Sequence, residues 1–417
     1  MYIPRAIEES VKKISDTFPV LLVTGPRQVG KTTLLAHLAE DGRTYVTLDD
    51  PDVRRIAQND PALFMQRYKP PLIIDEVQYA PELLPFIKMS VDKSHLNGSF
   101  WLTGSQKFHM MKNVSESLAG RVGIVNLLGL SQSEIARTPS QPFDTDVNRL
   151  LTRLKTSQKM ELNEVYERIF TGSMPALYGE NPPEHSVFYQ SYLNTYLQRD
   201  IRDLTQVADE LAFFTFMTVV AARTSQPVKY ESIAGEVGIS APTAKKWLSI
   251  LVSSGVIALV QPYYNNMLKR VVKNPILHFL DTGLCAYLLK WDDAQTLERG
   301  AASGAFFESY VFAEIYKSYL NAGLEPPVFY YRDRDQKEID LLLYQNGVLF
   351  PIEIKKSASP GLGGIKNFKV LDPVTKPEPQ EDVGQMSLEI GTGAVVCMAN
   401  DLLPIDKNNW SIPVWLI

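Results

Sequence analysis

Residues 23–33 read VTGPRQVGKTT. Just upstream, FPVLLVTG at 18–25 is a Val- and Leu-rich apolar run closed by a glycine, the pattern of a short buried strand. Downstream, TTLLAHLAE has helical spacing. Between them, Gly25 to Thr32 fits G-x-x-x-x-G-K-[ST]. Glycines at these positions let the backbone wrap a phosphate chain with its N–H groups turned inward. Lys31 brings a point charge to the β- and γ-phosphates, the Thr32 hydroxyl suits Mg²⁺, and the helix N-terminus adds its dipole. The candidate nucleotide-binding set is Gly25, Pro26, Arg27, Gln28, Val29, Gly30, Lys31, Thr32 and Thr33, with ATP and Mg²⁺ as the expected cofactors.

Further strands are spelled out along the first third. RTYVTLDDPDVRRIA at 43–57 predicts a strand and the start of a helix. PPLIIDEVQ at 70–78 is an apolar strand ending in two acids. Beside the phosphate loop, such a strand brings Asp75 to the Mg²⁺ shell and Glu76 to a water attacking the γ-phosphate. GSFWLTGSQ at 98–106 ends in Ser105 and Gln106, a hydroxyl and an amide suited to sensing that phosphate. SLAGRVGIVNLLGLS at 117–131 puts Arg121 just before a fifth strand, either as a finger on a neighbour's nucleotide or as an ordinary surface arginine.

VTGPRQVGKTT, LDDPDVRRIA, LIIDEVQ, WLTGSQ and SLAGRV, in this order, resemble the ATPase domain of the prokaryotic AAA-type family of AAA_14/DUF4143 type, over residues 1 to about 136. The resemblance implies a P-loop αβα sandwich on a parallel sheet. It gives Lys31, Thr32, Asp75, Glu76, Ser105 and Arg121 the phosphate-loop, metal, base, sensor and finger-like roles. A second sensor arginine from a helical lid is not evident.

The whole chain sets the frame. At 417 residues it exceeds one ordinary core and predicts several domains. A net charge of −5 announces no nucleic acid globally, so any such surface must be local. The N-terminus lacks the apolar core of a signal peptide, and the longest apolar run, at 211–222, is too short to span a bilayer. Cys285 and Cys397 are the only cysteines, which argues against a zinc site or a disulfide framework and suits a reducing cytoplasm.

The middle reads as a polar, Pro-bearing boundary at 138–147, then mainly helix from 161 to 224. YLQRDIRDL at 196–204 is most simply an ion-paired helix face. Residues 229–272 predict a short helix, a turn at Gly238, a Ser240 N-cap, a second helix and two strands around a YNN turn, the winged-helix pattern. Residues 226–275 carry six basic side chains against two acids. Lys245 and Lys246 on the second helix and Lys269 and Arg270 on the wing are the candidate DNA contacts; winged helices also serve as protein-binding modules.

In the last third, GAFFESYVFAEIYKSYLNAG at 304–323 predicts a helix carrying Glu308. Residues 328–357 predict three strands, with Asp340 on the second and Glu353 and Lys355 on one face of the third. Two carboxylates on adjacent strands suit a divalent metal, and a lysine beside them can activate water or steady a phosphorane. This D-x12-E-x-K pattern resembles the PD-(D/E)XK nuclease superfamily, with spacing close to that of archaeal-type Holliday junction resolvases. The resemblance assigns Glu308, Asp340 and Glu353 to metal and Asp340, Glu353 and Lys355 to catalysis. Arg332, Arg334 and Lys356 add nearby charge, and GAVVCMAN and SIPVWLI are expected to complete the sheet.

The expected α/β architecture is therefore an AAA-type P-loop αβα sandwich at 1–137, a helical linker at 138–225, a winged helix at 226–290 and a PD-(D/E)XK nuclease-like domain at 291–417. The expected function is an ATP-dependent protein, acting as a homo-oligomer, that binds and processes duplex or branched DNA. The alternative is a nucleotide-dependent switch with a protein partner and an inactive nuclease-like domain.

Overall fold

The computed structural model describes residues 2–104, 117–196, 210–264, 274–372 and 388–417. Its first sheet is parallel throughout, in the order β2-β3-β4-β1-β5. The strands are β1 (Val20–Thr24), β2 (Thr44–Thr47), β3 (Leu72–Asp75), β4 (Phe100–Gly104) and β5 (Val122–Asn126). Every residue of β1, β3 and β4 is buried, as a parallel sheet covered on both faces requires. Alternate residues feed separate cores. Leu21, Val23, Ile73 and Trp101 join one cluster, and Val20, Leu22, Ile74 and Leu102 join another. Helix α1 (Glu8–Thr17) precedes β1, and α2 (Lys31–Leu38) starts directly after the glycine loop. Helix α3 (Leu83–Ser94) lies between β3 and β4 in the chain.

A helical region follows, with α4 (Leu162–Thr171), α5 (His185–Tyr196) and α6 (Glu210–Ala221). Helix α6 is the apolar run expected to be too short for a bilayer; Phe213 and Phe216 pack edge-on against Trp247. No described helix is long and apolar enough to cross a membrane. Then come α7 (Tyr230–Val237) and α8 (Ala241–Ser253), separated by Gly238 at φ +79° and capped by the Ser240 hydroxyl, which accepts from Thr243 N. Strands β6 (Gln226–Pro227) and β7 (Ile257–Pro262) flank β8 (Ile276–Phe279) as antiparallel neighbours. The described antiparallel partner of β7 is thus Ile276–Phe279, beyond the stretch expected to form the second wing strand; residues 265–273, with Lys269 and Arg270, lie outside the described residues.

After α9 (Thr282–Leu288) comes α10 (Ser303–Asn321), the helix that carries Glu308. The strands are β9 (Val328–Arg332), β10 (Glu338–Gln345), β11 (Val348–Lys355), β12 (Glu389–Ile390), β13 (Gly393–Cys397), β14 (Leu403–Pro404) and β15 (Asn409–Pro413). Strands β13 and β15 extend the sheet in parallel from β11. Strand β7 also pairs in parallel with β9, Gln261 opposite Phe329 and Pro262 opposite Tyr330. The strands around α7 and α8 and those of the C-terminal core therefore share a mixed ten-stranded sheet, β14-β15-β13-β11-β10-β9-β7-β8-β6 with β12 beside β11.

Helix α10 also ties this sheet to the first one. Lys317 Nζ donates to Leu130 O at 2.9 Å and to Glu314 Oε1 at 2.5 Å, and Glu314 Oε2 accepts from Gln132 N at 2.7 Å. Both side chains are buried, so each charge is compensated in place.

Candidate nucleotide and carboxylate–lysine sites

The glycine loop leaves β1 at the C-terminal edge of the first sheet. Gly25 has φ +145°, and a Cβ there would lie 1.9 Å from Leu127 O, so only glycine fits between the loop and the exit of β5. Gly30, at φ +90°, turns the chain into α2. Lys31 is buried and donates to Gly25 O at 3.0 Å and Pro26 O at 2.7 Å, which stretches its ammonium across the loop. Arg27, Gln28, Gly30, Lys31, Thr32 and Thr33 line an open cleft of about 630 Å³ with Glu76 and Thr195, the latter from the end of α5. Val29 turns its side chain into the core, and Pro26 packs against Gly255 and Leu128.

Asp75 gathers hydroxyls. Its Oδ1 accepts from Thr32 Oγ1 at 2.7 Å and from Thr103 Oγ1; its Oδ2 accepts from Tyr45 OH at 3.0 Å and Thr47 Oγ1 at 3.5 Å. Burial and the Asp75 charge push the Tyr45 hydroxyl up to about 12, so it stays a donor. A carboxylate and a hydroxyl side by side are the hard oxygen donors that Mg²⁺ takes together with nucleotide phosphates, so the residues fit that ion. Bound there, Mg²⁺ would offset charge building on the β- and γ-phosphates. Glu76 sits in the left-handed region at φ +57°, its N–H on Thr103 Oγ1 at 3.1 Å and its carboxylate held by the Gln78 amide. Glu76 lines the cleft. Ser105 and Gln106 lie outside the described residues.

Two parts of this site escaped the sequence reading. Arg5, buried before α1, donates Nη1 to Val29 O at 2.8 Å, Nη2 to Leu128 O at 2.8 Å, and Nε to Glu134 Oε1 at 2.9 Å. One guanidinium thus staples the phosphate loop to the exit of β5. Glu134 in turn accepts Ala6 N and Ser131 N. The second is Thr103, two residues before the expected Ser105.

Arg121 stands at the opposite end of β5 from the loop, since Val20 pairs with Val122 and Thr24 with Asn126. It forms a two-pronged ion pair with Asp92 of α3, with Nη2 to Oδ2 at 3.1 Å, and donates to Ala119 O. It cannot reach its own chain's nucleotide from that edge.

In the C-terminal sheet, Leu341 faces Ile352, so Asp340 and Glu353 are the next cross-strand pair. Lys355 Nζ lies 2.7 Å from Glu353 Oε1 and 3.8 Å from Asp340 Oδ2, and Asp340 Oδ2 accepts Ile354 N at 2.7 Å. Glu353 Oε2 is buried without a hydrogen-bond partner. Burial, then the Asp340 charge, pushes the Glu353 carboxyl up to about 7. Burial first and Asp340 second raise Glu308, which hydrogen-bonds Ser225. The resemblance places Glu308, Asp340 and Glu353 around a metal. Among the described residues no three His, Cys, Asp or Glu side chains group to hold a metal. The Lys355 ammonium takes up the charge of the strand pair, and Glu308 is engaged with Ser225. The pair Asp340 and Glu353, with the unpartnered Oε2, is the part of that set that suits a cation. Lys356 is not a free charge either: its Nζ binds Glu298 and sits 5.0 Å over the Tyr166 ring.

Lys245 and Lys246 are both exposed on α8. Arg334 is exposed too, whereas Arg332 is half-buried beside Glu338 and Gln336.

Residues 17–136 match the family model described as "AAA domain". Residues 162–295 match "Domain of unknown function (DUF8612)", and residues 303–417 match "Domain of unknown function (DUF4143)". The uncharacterized proteins Rv2008c of Mycobacterium tuberculosis and Mb2031c of Mycobacterium bovis are each 29% identical over 358 residues, 85% of this chain and 74% of theirs. Among solved structures, the Walker-type ATPase PABY2304 of Pyrococcus abyssi aligns at 14% identity over 67% of this chain and 94% of its own, with a TM-score of 0.42. By its sheet, its phosphate loop and its domain match, the first third of the chain is an AAA-type P-loop domain, followed by two domains of unknown function.

Proposed function

We propose that the protein hydrolyses ATP and uses the nucleotide state to control a grip on duplex or branched DNA. The carrying observation is the contact between the phosphate loop and the winged helix. Pro26 abuts Gly255, in the turn that joins α8 to β7, so closely that a Cβ on Gly255 would lie 3.0 Å from the proline ring. Any rearrangement of the loop around phosphates presses on the end of the helix that carries Lys245 and Lys246. Those lysines neutralise DNA phosphates in this proposal. Asp340 and Glu353 would hold a divalent cation, which would offset charge on an attacked phosphodiester, with Lys355 beside them to steady it. Arg121, turned to the outer edge, completes the site of a neighbouring copy in a homo-oligomer.

One observation favours a second reading. Lys355 already pairs with Glu353 and approaches Asp340, as in a core that binds without cutting. The protein would then be a nucleotide switch with a protein partner.

Steady-state ATP hydrolysis with Mg²⁺ at low salt, alone and with single-stranded, duplex or four-way-junction DNA, separates the two. Stimulation by one of these structures is expected, with no turnover by Lys31→Ala. Mg²⁺-dependent nicking lost in Asp340→Ala marks a cutting site. Basal turnover indifferent to every DNA overturns the DNA proposal in favour of the switch.

A further inference from the structure

An open groove of about 730 Å³ runs between the winged helix and the first strand of the C-terminal core. Arg223, Lys229 and Arg332 bring three cations to its walls, and Gln226, Asn274 and Gln336 bring amides. Among the described residues no lining residue is acidic, on a chain whose net charge is −5. The cations come from separate elements: the end of α6, the start of α7 and the end of β9. Arg223 and Arg332 each lean on one carboxylate outside the lining, Glu236 and Glu338. Lys229 is exposed and forms no ion pair among the described residues.

The groove has a destination. Ser225, one residue before Gln226, hydrogen-bonds Glu308. Arg332 pairs in register with Glu338, which precedes Asp340 by two residues on β10. Ser225 and Arg332 therefore link its walls to Glu308 and Glu338, the carboxylates next to Asp340 and Lys355.

We infer that this groove carries the phosphodiester backbone of a nucleic-acid strand between the winged helix and the Asp340–Glu353–Lys355 site, an inference that rests on the DNA reading above. Separated cations on three elements match an anion whose charges repeat along a chain. A single phosphate would leave most of the groove unfilled. An acidic peptide would want apolar anchor pockets, and the apolar lining here is Ala222 and Pro227. Amides beside the cations are donors for phosphate and sugar oxygens, contacts that position a strand without reading its sequence.

The test uses the full chain and fluorescein-labelled single-stranded and duplex oligonucleotides, followed by anisotropy across a salt series. Lys229→Glu is expected to weaken binding at least about fivefold at low salt. It should also flatten the slope of log K against log salt by about 0.7 for single strands and about 0.9 for duplex, the loss of one phosphate contact. A second variant needs no change of charge. Both native cysteines are buried, so Ser232→Cys places one accessible thiol in the groove wall. Saturating oligonucleotide should slow its maleimide labelling several-fold.

Tight binding by the unaltered chain, with Lys229→Glu unchanged and Cys labelling unslowed, overturns the groove and leaves the DNA reading standing. No binding of any oligonucleotide by the unaltered chain overturns both. Displacement of the oligonucleotide by polyglutamate at equal charge concentration assigns the groove to an acidic protein and overturns the inference.

Discussion

Arg5→Ala tests how the phosphate loop is held. The guanidinium has three acceptors in a buried place: Val29 O, Leu128 O and Glu134 Oε1, at 2.8, 2.8 and 2.9 Å. Truncation leaves two carbonyls of buried residues without a donor, at about 1 kcal/mol each. It also leaves the Glu134 carboxylate, 1% exposed, without its counter-charge. Breaking a buried pair costs about 3–5 kcal/mol. Glu134 keeps the N–H groups of Ala6 and Ser131, which places the pair's share near the lower end, about 3 kcal/mol, and the whole loss with the two carbonyls at about 5 kcal/mol. With a urea m-value of about 3 kcal/mol/M, the first unfolding midpoint falls by about 1.7 M. The second readout is specific to the loop. With Val29 O untethered, the turn leading to Lys31 is less well placed for phosphates, so KM for ATP rises at least about tenfold in protein that is still folded. Arg5→Lys keeps the charge but cannot span three acceptors, and falls between the two. The urea midpoint and the KM for ATP are measured on one preparation. A midpoint within about 0.2 M of the parent chain, with KM unchanged, refutes the staple.

Other expectations follow from single contacts. Gly25→Ala forces a Cβ onto Leu127 O, so nucleotide binding measured with a fluorescent ATP analogue should vanish; retained affinity removes the close approach as a constraint. Burial holds the His278 imidazole down at about 3. The unfolded chain takes up a proton below its ordinary 6.5 while the folded chain does not, so stability falls as pH drops from 6.5 towards 3, by about 2 kcal/mol at pH 5. His278→Phe should lose that part of the slope in urea melts at pH 7 and 5; an equal slope in both proteins sinks the assignment. Arg121→Ala should leave the urea midpoint unchanged, because water and salt screen an ion pair at the surface. It should abolish the rise in specific ATPase activity with protein concentration; undiminished turnover denies Arg121 a role in a neighbour's site.

What was readable in the sequence follows from how local each device is. The glycine loop needs one strand, eight residues and one helix, all contiguous, and its φ angles and buried lysine appear where the motif places them. The helix pair around Gly238 is equally local, and Asp340 and Glu353 sit opposite because a short hairpin fixes their register. Arg5 and Glu134 are 129 residues apart, and neither carries a motif. Tyr45 reaches Asp75 only because β2 and β3 pair in parallel across a crossover. Lys356 looked like spare charge next to Glu353 and Lys355, but alternation along the strand sends it to the other side, onto Glu298. The pairing of β7 with β9 involves two residues on each strand with no pattern of their own, so nothing in the letters distinguishes it.

That pairing bears on how the chain can be divided. A fragment starting near residue 291 would bare the flank of β9 that β7 covers, and one ending there would bare β7. Each piece would carry an unsealed row of amides and carbonyls, the kind of margin along which chains stick to one another. The last two modules are therefore better handled, and better inherited, as one heritable block than as interchangeable beads. An insertion at their seam would be tolerated only if it brought its own strand to seal the gap.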